Sequence, residues 1–339
     1  MRKIGLQILG GILAIALIWG WYVTIYVPKR LINHAVETTI NASTRCEFED
    51  EWIDADAPPL RLYESKGGLA CRRIALNDTE IEICQRSLIQ TARNAGVRPL
   101  KQNQLKIQVR SQKYHFNADS IIDVGGNRIA AADRDIAVAS SKTHIYIGWV
   151  RQLDPAQQSV ITLRVIDNRK GTQRLEKQIY RTACCLVNLS MYYDQNRSKL
   201  LFTWNNWRYP DHKNIFFAVL DVYKLLHDNQ MLVPIQLVFN DKWDKRNPYF
   251  LNDNDKIYLI YTTGDHWGWL AYSGRQRIGV YTMDDAIQPV DYRIIAARNP
   301  LGKVLKIENG YLCYQMLSQD ASRVEELRKI DISKTFQAR

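Results

Sequence analysis

The chain has 339 residues, of which 46% are hydrophobic and 24% are charged, and its formal net charge is +11. This balance is that of a globular protein and excludes a chain that is disordered throughout. The positive charge favours anionic neighbours such as lipid headgroups or acidic polysaccharides. Nucleic acid is not an expected partner, because the sequence has no helix-turn-helix, RNA-recognition signature or dense basic run.

The N-terminus carries an uncharged, mostly apolar run from Ile4 to Val27, which is long enough to cross a bilayer. Bulky residues precede Pro28, unlike the small residues before a signal-peptide cleavage site. We therefore predict an uncleaved transmembrane signal anchor over residues 1–30; a buried core helix is the alternative. The predicted location is the membrane, with a single span in contact with lipid and the C-terminal domain outside the cytoplasm, periplasmic or extracellular. Small residues spaced four apart in the run also allow a homo-oligomer.

Residues 31–119 are predicted to form a stalk and a small α/β region. A helix is predicted from an N-cap at Asn77-Asp78, with Gly96 at its end. The apolar residues that would share one face of this helix are Ile81, Cys84, Leu88, Ile89 and Ala92. Residues 105–110 alternate as a strand.

Six cysteines are present, and outside the cytoplasm a disulfide can persist. Either Cys71–Cys84 or Cys46–Cys71 fits an internal pair, and the connectivity stays open. Cys313 lies in the middle of a predicted strand and is interpreted as a buried thiol. The adjacent Cys184-Cys185 is interpreted as two unpaired thiols.

Residues 120–339 are predicted to form the repeats of a β-propeller. Four similar strands begin at residues 145, 200, 257 and 311, which are 55, 57 and 54 residues apart. Further strands are predicted around each of them, near 135–140, 145–151, 159–166 and 174–180; 186–193, 199–205, 214–222 and 232–239; 247–251, 256–262, 276–282 and 290–295; and 302–307, 310–316 and 325–332. About five blades are expected, within a range of four to six, with residues 45–130 supplying an irregular one. An N-terminal strand could complete the last blade and close the ring.

Several motifs of common chemistry are missing from the sequence. There is no G-x-G-x-x-G, no Walker A lysine loop and no G-x-S-x-G elbow. The six histidines show no paired metal-ligand spacing. We therefore predict neither a cofactor nor a metal.

Ligand binding is predicted at one face of the propeller, where the loops between second and third strands meet the links between blades. These loops are rich in rings and charges: Trp207, Arg208, Tyr209, Asp211, His212, Trp243, Asp244, Asp265, His266, Trp267 and Trp269. Flat rings beside charged groups suit sugars, whose C–H faces stack while their hydroxyls take charged hydrogen bonds. The alternative is that these rings cap the blades and fill the central channel.

Glycoside hydrolysis would need two carboxylates in this set. The candidates are Asp211, Asp241, Asp244 and Asp265. Loop aspartates also serve as turn and capping residues, so the catalytic residues are unassigned.

Three segments resemble blades of sialidases and related propeller glycosidases. They are Tyr192–Trp204, Pro248–Tyr261 and Arg277–Tyr281. The resemblance covers roughly residues 130–335 and implies a propeller with a glycan-related function. Ser120–Gly125 approaches the sialidase Asp-box with one residue too many, and Arg72–Ala75 resembles the first arginine motif of that family. No catalytic residue is carried over from the family.

The sequence thus predicts a membrane-anchored, exported β-propeller that binds a saccharide or another envelope component. One alternative is a sialidase-like glycoside hydrolase. Another is a scaffold that docks envelope proteins in a membrane complex.

Overall fold

The computed structural model describes residues 2–21, 63–64, 69–76, 78–86, 101, 103–125, 135–153, 158–183, 185–208, 211–228, 231–237, 244–267, 271–295, 301–317 and 324–332. Over these ranges the chain is mainly β, with its strands in antiparallel sheets that follow one another along the chain.

The elements are as follows, in chain order. Helix α1 is Arg2–Trp21. Sheet 1 contains β1 Tyr63–Glu64, β2 Leu69–Leu76, β3 Thr79–Arg86, β4 Gln104–Ser111 and β5 Phe116–Asp123. Sheet 2 contains β6 Ile136–Ser140, β7 His144–Leu153, β8 Gln158–Asp167 and β9 Gln173–Thr182. Sheet 3 contains β10 Cys185–Asp194, β11 Lys199–Arg208, β12 Asp211–Asp221 and, after helix α2 Val222–His227, β13 Ile235–Leu237. Sheet 4 contains β14 Asp244–Asp253, β15 Lys256–Trp267, β16 Ala271–Met283 and β17 Pro289–Ile295. Sheet 5 contains β18 Leu301–Glu308, β19 Tyr311–Leu317 and β20 Val324–Asp331.

The predicted strand repeat is confirmed. Every strand predicted between residues 135 and 332 overlaps a strand of the structure, and each predicted group of strands forms one sheet. Within every sheet, neighbours in sequence are neighbours in space, as in the blade of a propeller. Sheet 1 occupies the segment where an irregular blade is predicted. Sheet 5 has three strands among the described residues.

The chain divides into two compact units. The larger unit covers Trp52–Val238 and Arg246–Phe250, and it includes sheets 1 to 3. The smaller unit covers Met1–Glu51, Phe239–Lys245 and Leu251–Arg339, and it includes most of sheet 4 and all of sheet 5.

In the larger unit, sheet 2 is covered by sheets on both of its faces. Ile147 and Trp149 of β7 join a cluster with sheet 1, whereas Tyr146 and Val150 join a cluster with sheet 3. Successive side chains of a strand point to opposite faces, so β7 is apolar on both sides. Gly148 keeps the strand close to sheet 3, because a Cβ there would lie 2.7 Å from the sulfur of Met191.

In the smaller unit, hydrogen bonds between two hairpin turns connect sheets 4 and 5. Asp253, at the end of β14, accepts backbone hydrogen bonds from Asn309 at 2.9 Å and Gly310 at 2.5 Å. Both donors lie in the turn between β18 and β19, and both have positive φ. This carboxylate therefore fixes one hairpin turn against the next.

The predicted helix from Asn77-Asp78 is wrong where the structure describes it, because Thr79–Arg86 is strand β3. Ile81 and Ile83 are fully buried in the cluster with sheet 2, and the glutamates beside them lie on the other face. There Arg73 of β2 makes ion pairs of 3.2 Å with Glu80 and 3.1 Å with Glu82. Alternating burial therefore overrides the helical spacing. The described part of residues 63–123 is β rather than α/β.

Of the two predicted cysteine pairs, the structure contains Cys71–Cys84. Cys71 and Cys84 lie opposite each other on β2 and β3 and form a disulfide. Cys313 is buried as predicted, but it is disulfide-bonded, so its interpretation as a thiol is wrong. Cys46 and Cys184 lie outside the described residues.

Helix α1 spans twenty residues of the predicted anchor. Among the described residues, however, no helix combines the length and the apolar character required to cross a membrane, so the predicted span is not supported.

Candidate functional site

Part of the predicted ligand-binding set lies at the tip of the β11–β12 hairpin, in the larger unit. Trp207 and Arg208 end β11, and Asp211 and His212 begin β12. Arg208 and Asp211 are opposite each other, just beyond a register shift that follows Asn206. The backbone thus brings an arginine and an aspartate onto adjacent strands.

The second part lies at one end of sheet 4, in the smaller unit. Asp244 begins β14, and Asp265, His266 and Trp267 end β15. β14 and β15 are joined by a short turn at their other ends, so these four residues share one end of the sheet. A register shift against β16 between Gly264 and His266 marks an irregularity at Asp265, the kind of position where strands redirect a side chain.

Three predicted residues, Tyr209, Trp243 and Trp269, lie outside the described residues. For the other eight, the structure describes the backbone only. Whether these side chains bind a ligand stays a prediction.

Directly beside the sheet 4 residues, the structure reveals buried polar side chains that the sequence reasoning missed. Lys245 is completely buried, Arg277 is 2% exposed and Thr263 is 3% exposed. Thr263 and Arg277 are opposite each other on β15 and β16, and Lys245 follows Asp244 on β14. Nothing in the sequence marks these two cations as buried, because both have polar neighbours in their strands, such as Arg246 and Gln276.

Burial of two cations at one end of a sheet is costly. Taking each charge out of water costs several kcal/mol unless an anionic or strongly polar partner compensates it. The hydroxyl of Thr263 is also buried, and it has no hydrogen-bond partner among the described residues. This end of sheet 4 therefore has the polar character that functional sites show and cores avoid.

The equivalent end of sheet 3 differs. Thr203 of β11 is fully buried, and its hydroxyl donates to the backbone carbonyl of Phe216 at 2.9 Å. Asn205 is 4% exposed, and its side-chain carbonyl accepts a hydrogen bond from Asn188 at 3.3 Å. These two polar groups are satisfied within the sheet, whereas the Thr263 hydroxyl is not.

One group of potential metal ligands occurs among the described residues, formed by Cys71, Glu82 and Cys84. The two sulfurs form a disulfide, so they are not thiolate ligands. This group does not fit a metal.

No protein-family model and no curated protein matches the chain. Solved structures with some similarity include glycosidases, the class that the blade sequences resemble. An α-L-arabinofuranosidase from Lactobacillus brevis is 12% identical with a TM-score of 0.41, covering 75% of this chain and 87% of that one. A GH43 endo-arabinanase from Bacillus licheniformis is 10% identical with a TM-score of 0.38, covering 76% and 91%. An α-L-arabinofuranosidase from Fusarium graminearum is 8% identical with a TM-score of 0.38, covering 80% and 95%. Likenesses at this level assign neither an activity nor a residue role.

Proposed function

We propose that the protein is a β-propeller that binds a saccharide through the end of sheet 4 that carries Asp244, Asp265, His266 and Trp267. The observation that carries the proposal is the group of buried polar side chains Lys245, Thr263 and Arg277 at that end. Buried ionisable side chains of this kind cluster at functional sites, where they meet a ligand or a reacting group.

The chemistry of the group suits sugar hydroxyls. Lys245 and Arg277 donate charge-assisted hydrogen bonds, and the Thr263 hydroxyl both donates and accepts. A ring such as Trp267 would stack on the C–H face of a sugar.

Glycoside hydrolysis is the alternative that sheet 4 favours. Asp244 and Asp265 begin and end neighbouring strands at one end of the sheet. Two carboxylates flanking a bond are what that reaction needs, one as acid and one as base or nucleophile.

The proposed location is outside the cytoplasm, in or at the membrane. The Cys71–Cys84 disulfide and the disulfide-bonded Cys313 support an oxidising compartment. Labelling of thiols in intact cells before and after reduction tests this. If Cys71 and Cys84 react without prior reduction in cells, the proposed location is wrong.

Binding is tested with the full chain, in detergent, on a glycan array that includes neutral and acidic oligosaccharides. We expect binding to at least one glycan class, and weaker binding for Trp267→Ala. Chromogenic glycosides incubated with the same protein test hydrolysis. If no glycan binds and none is hydrolysed, the saccharide proposal is rejected in favour of a protein scaffold.

A further inference from the structure

A polar cavity lies in the larger unit, between sheets 1 and 2. Its volume is about 320 Å³, large enough for one sugar ring. It is lined by β5, β7, β8 and β9. The lining residues that could contact a ligand through charge or apolar surface are Ile121, Asp123, Arg151, Arg164, Glu176 and Lys177.

Arg164 forms the fixed wall of this cavity. Its guanidinium donates to Glu176 from Nε at 2.9 Å and from Nη2 at 2.8 Å, and to the Ser120 hydroxyl from Nη1 at 2.7 Å. It also lies over the ring of Trp149, 5.4 Å from the centroid. Arg164 and Glu176 therefore neutralise each other within sheet 2, and the hydrogen bond from Arg164 to Ser120 joins sheet 2 to sheet 1.

The second acidic residue of the cavity is also engaged. Oδ1 of Asp123 accepts hydrogen bonds from the backbone N–H of Gly125 at 2.6 Å and from the side chain of Asn103 at 2.9 Å. These contacts hold the carboxylate to the residue that precedes β4 and to the chain just beyond β5. Both acids of the lining thus have partners from the protein itself.

Two further cations, Arg151 and Lys177, line the cavity. Arg151 is exposed, and among the described residues its guanidinium has no ion pair and no hydrogen bond. Lys177 is partly buried, and desolvation lowers its pKa. An anion in the cavity would favour the charged form of Lys177 and give Arg151 a planar partner.

We propose that this cavity binds the carboxylate of an acidic sugar, a hexuronic acid. Arg151 and Lys177 hold the carboxylate, Arg151 through the two parallel hydrogen bonds that a guanidinium makes with a carboxylate. Ile121, 59% exposed at the rim, offers an apolar surface to the sugar ring. The cavity shares no residue with the sheet 4 site, and its ligand is either a free sugar or one unit of an acidic polysaccharide.

The test measures the thermal midpoint of the full chain with D-glucuronate, D-glucose or inorganic sulfate, each at matched ionic strength. We expect a rise in the midpoint with glucuronate that grows with concentration, and none with glucose. An equal rise with sulfate would overturn the proposal, because the site would then recognise charge without a sugar. Absence of a rise with glucuronate would also overturn it.

The decisive variant is Arg151→Gln/Lys177→Gln, which should lose at least tenfold in glucuronate affinity measured by calorimetry. Its matched control is Arg169→Gln/Lys170→Gln, which removes the same charge from the exposed turn between β8 and β9 and should bind as the parent does. Equal affinity in the two double variants would overturn the proposal. An oligoglucuronate compared with the monomer distinguishes polysaccharide from free sugar as the source.

The cavity proposal and the sheet 4 proposal can be rejected independently of each other. Thr263→Val alters the sheet 4 site alone, so glucuronate binding that persists in this variant belongs to the cavity. Glucuronate binding that is lost in Thr263→Val and kept in Arg151→Gln/Lys177→Gln would assign it to sheet 4 and overturn the cavity proposal.

Discussion

Tyr261 and Gly279 lie opposite each other on β15 and β16, and the ring of Tyr261 occupies the space where residue 279 would carry a side chain. A Cβ on residue 279 would lie 1.9 Å from Cζ of that ring. Glycine weakens the interior of a strand because it has no side chain to pack. Here the ring of Tyr261 covers the glycine backbone and supplies that packing. Tyr261 is fully buried as a result.

Gly279→Ala is expected to destabilise the protein by about 2 kcal/mol, because the ring of Tyr261 must leave its rotamer. Urea unfolding measures the change. In the double variant Tyr261→Leu/Gly279→Ala the clash is absent, so the alanine should cost much less than it does in the parent. A cost that is the same in both backgrounds would show that the ring is not the obstacle.

Thr263→Val is expected to leave the free energy of unfolding within about 0.5 kcal/mol of the parent, or to raise it, because a buried hydroxyl without a partner is removed. If the hydroxyl meets a sugar, saccharide affinity should fall by about tenfold. Thr203→Val is the matched control, since that hydroxyl is bonded to Phe216. It should destabilise the fold by about 1 kcal/mol and leave saccharide affinity unchanged.

The strand repeat could be predicted because its signal is local. In β7, β11 and β15 an apolar run is bounded by turn residues, and burial on both faces makes the run continuous. The apolar pattern of residues 79–86, in contrast, fits two kinds of element. Ile81, Cys84 and the apolar residues after them have the spacing of one helix face. Ile81 and Ile83 alone have the spacing of one strand face, and this is the face that packs on sheet 2.

The candidate site shows a different limit. Position at a hairpin end follows from topology, so the placement of Asp244 and Asp265 at one end of sheet 4 could be predicted. The burial of Lys245 and Arg277 could not, because it depends on packing that a single strand does not encode. For the same reason the cavity at Arg151 and Lys177, which needs two sheets, has no signature in sequence.

Removal of the Cys71–Cys84 disulfide in Cys71→Ala/Cys84→Ala should destabilise the larger unit by about 3 kcal/mol, because a loop of this size is no longer closed in the unfolded chain. A double variant is preferable to a reductant, since a reductant would also open the disulfide of Cys313. Urea unfolding followed by Trp fluorescence measures the loss. Non-reducing peptide mapping of the parent should recover the linked peptides, and their absence would contradict the assignment.

Asp167 is expected to make stability depend on pH below pH 4. The Arg174 guanidinium donates to its carboxylate at 2.7 Å, the backbone N–H groups of Arg169 and Lys170 donate at 2.9 and 3.0 Å, and these contacts lower the pKa of Asp167 to about 2. A carboxyl whose pKa is lower in the folded state stabilises that state above its ordinary value of 3.8, and this contribution disappears as the pH falls towards 2.

Arg174→Met should therefore raise the pKa of Asp167 and flatten the loss of stability between pH 4 and pH 2. The effect on stability at pH 7 should stay below about 1 kcal/mol, because Arg174 is half exposed and its charge is screened by solvent. Arg169→Met is the control, since it removes an equal charge from the turn between β8 and β9 and keeps the backbone hydrogen bond to Asp167. Carboxyl NMR titration and urea unfolding at several pH values check both variants. If Arg174→Met and Arg169→Met gave parallel pH profiles, the backbone of the turn, rather than the guanidinium, would be what lowers the pKa of Asp167.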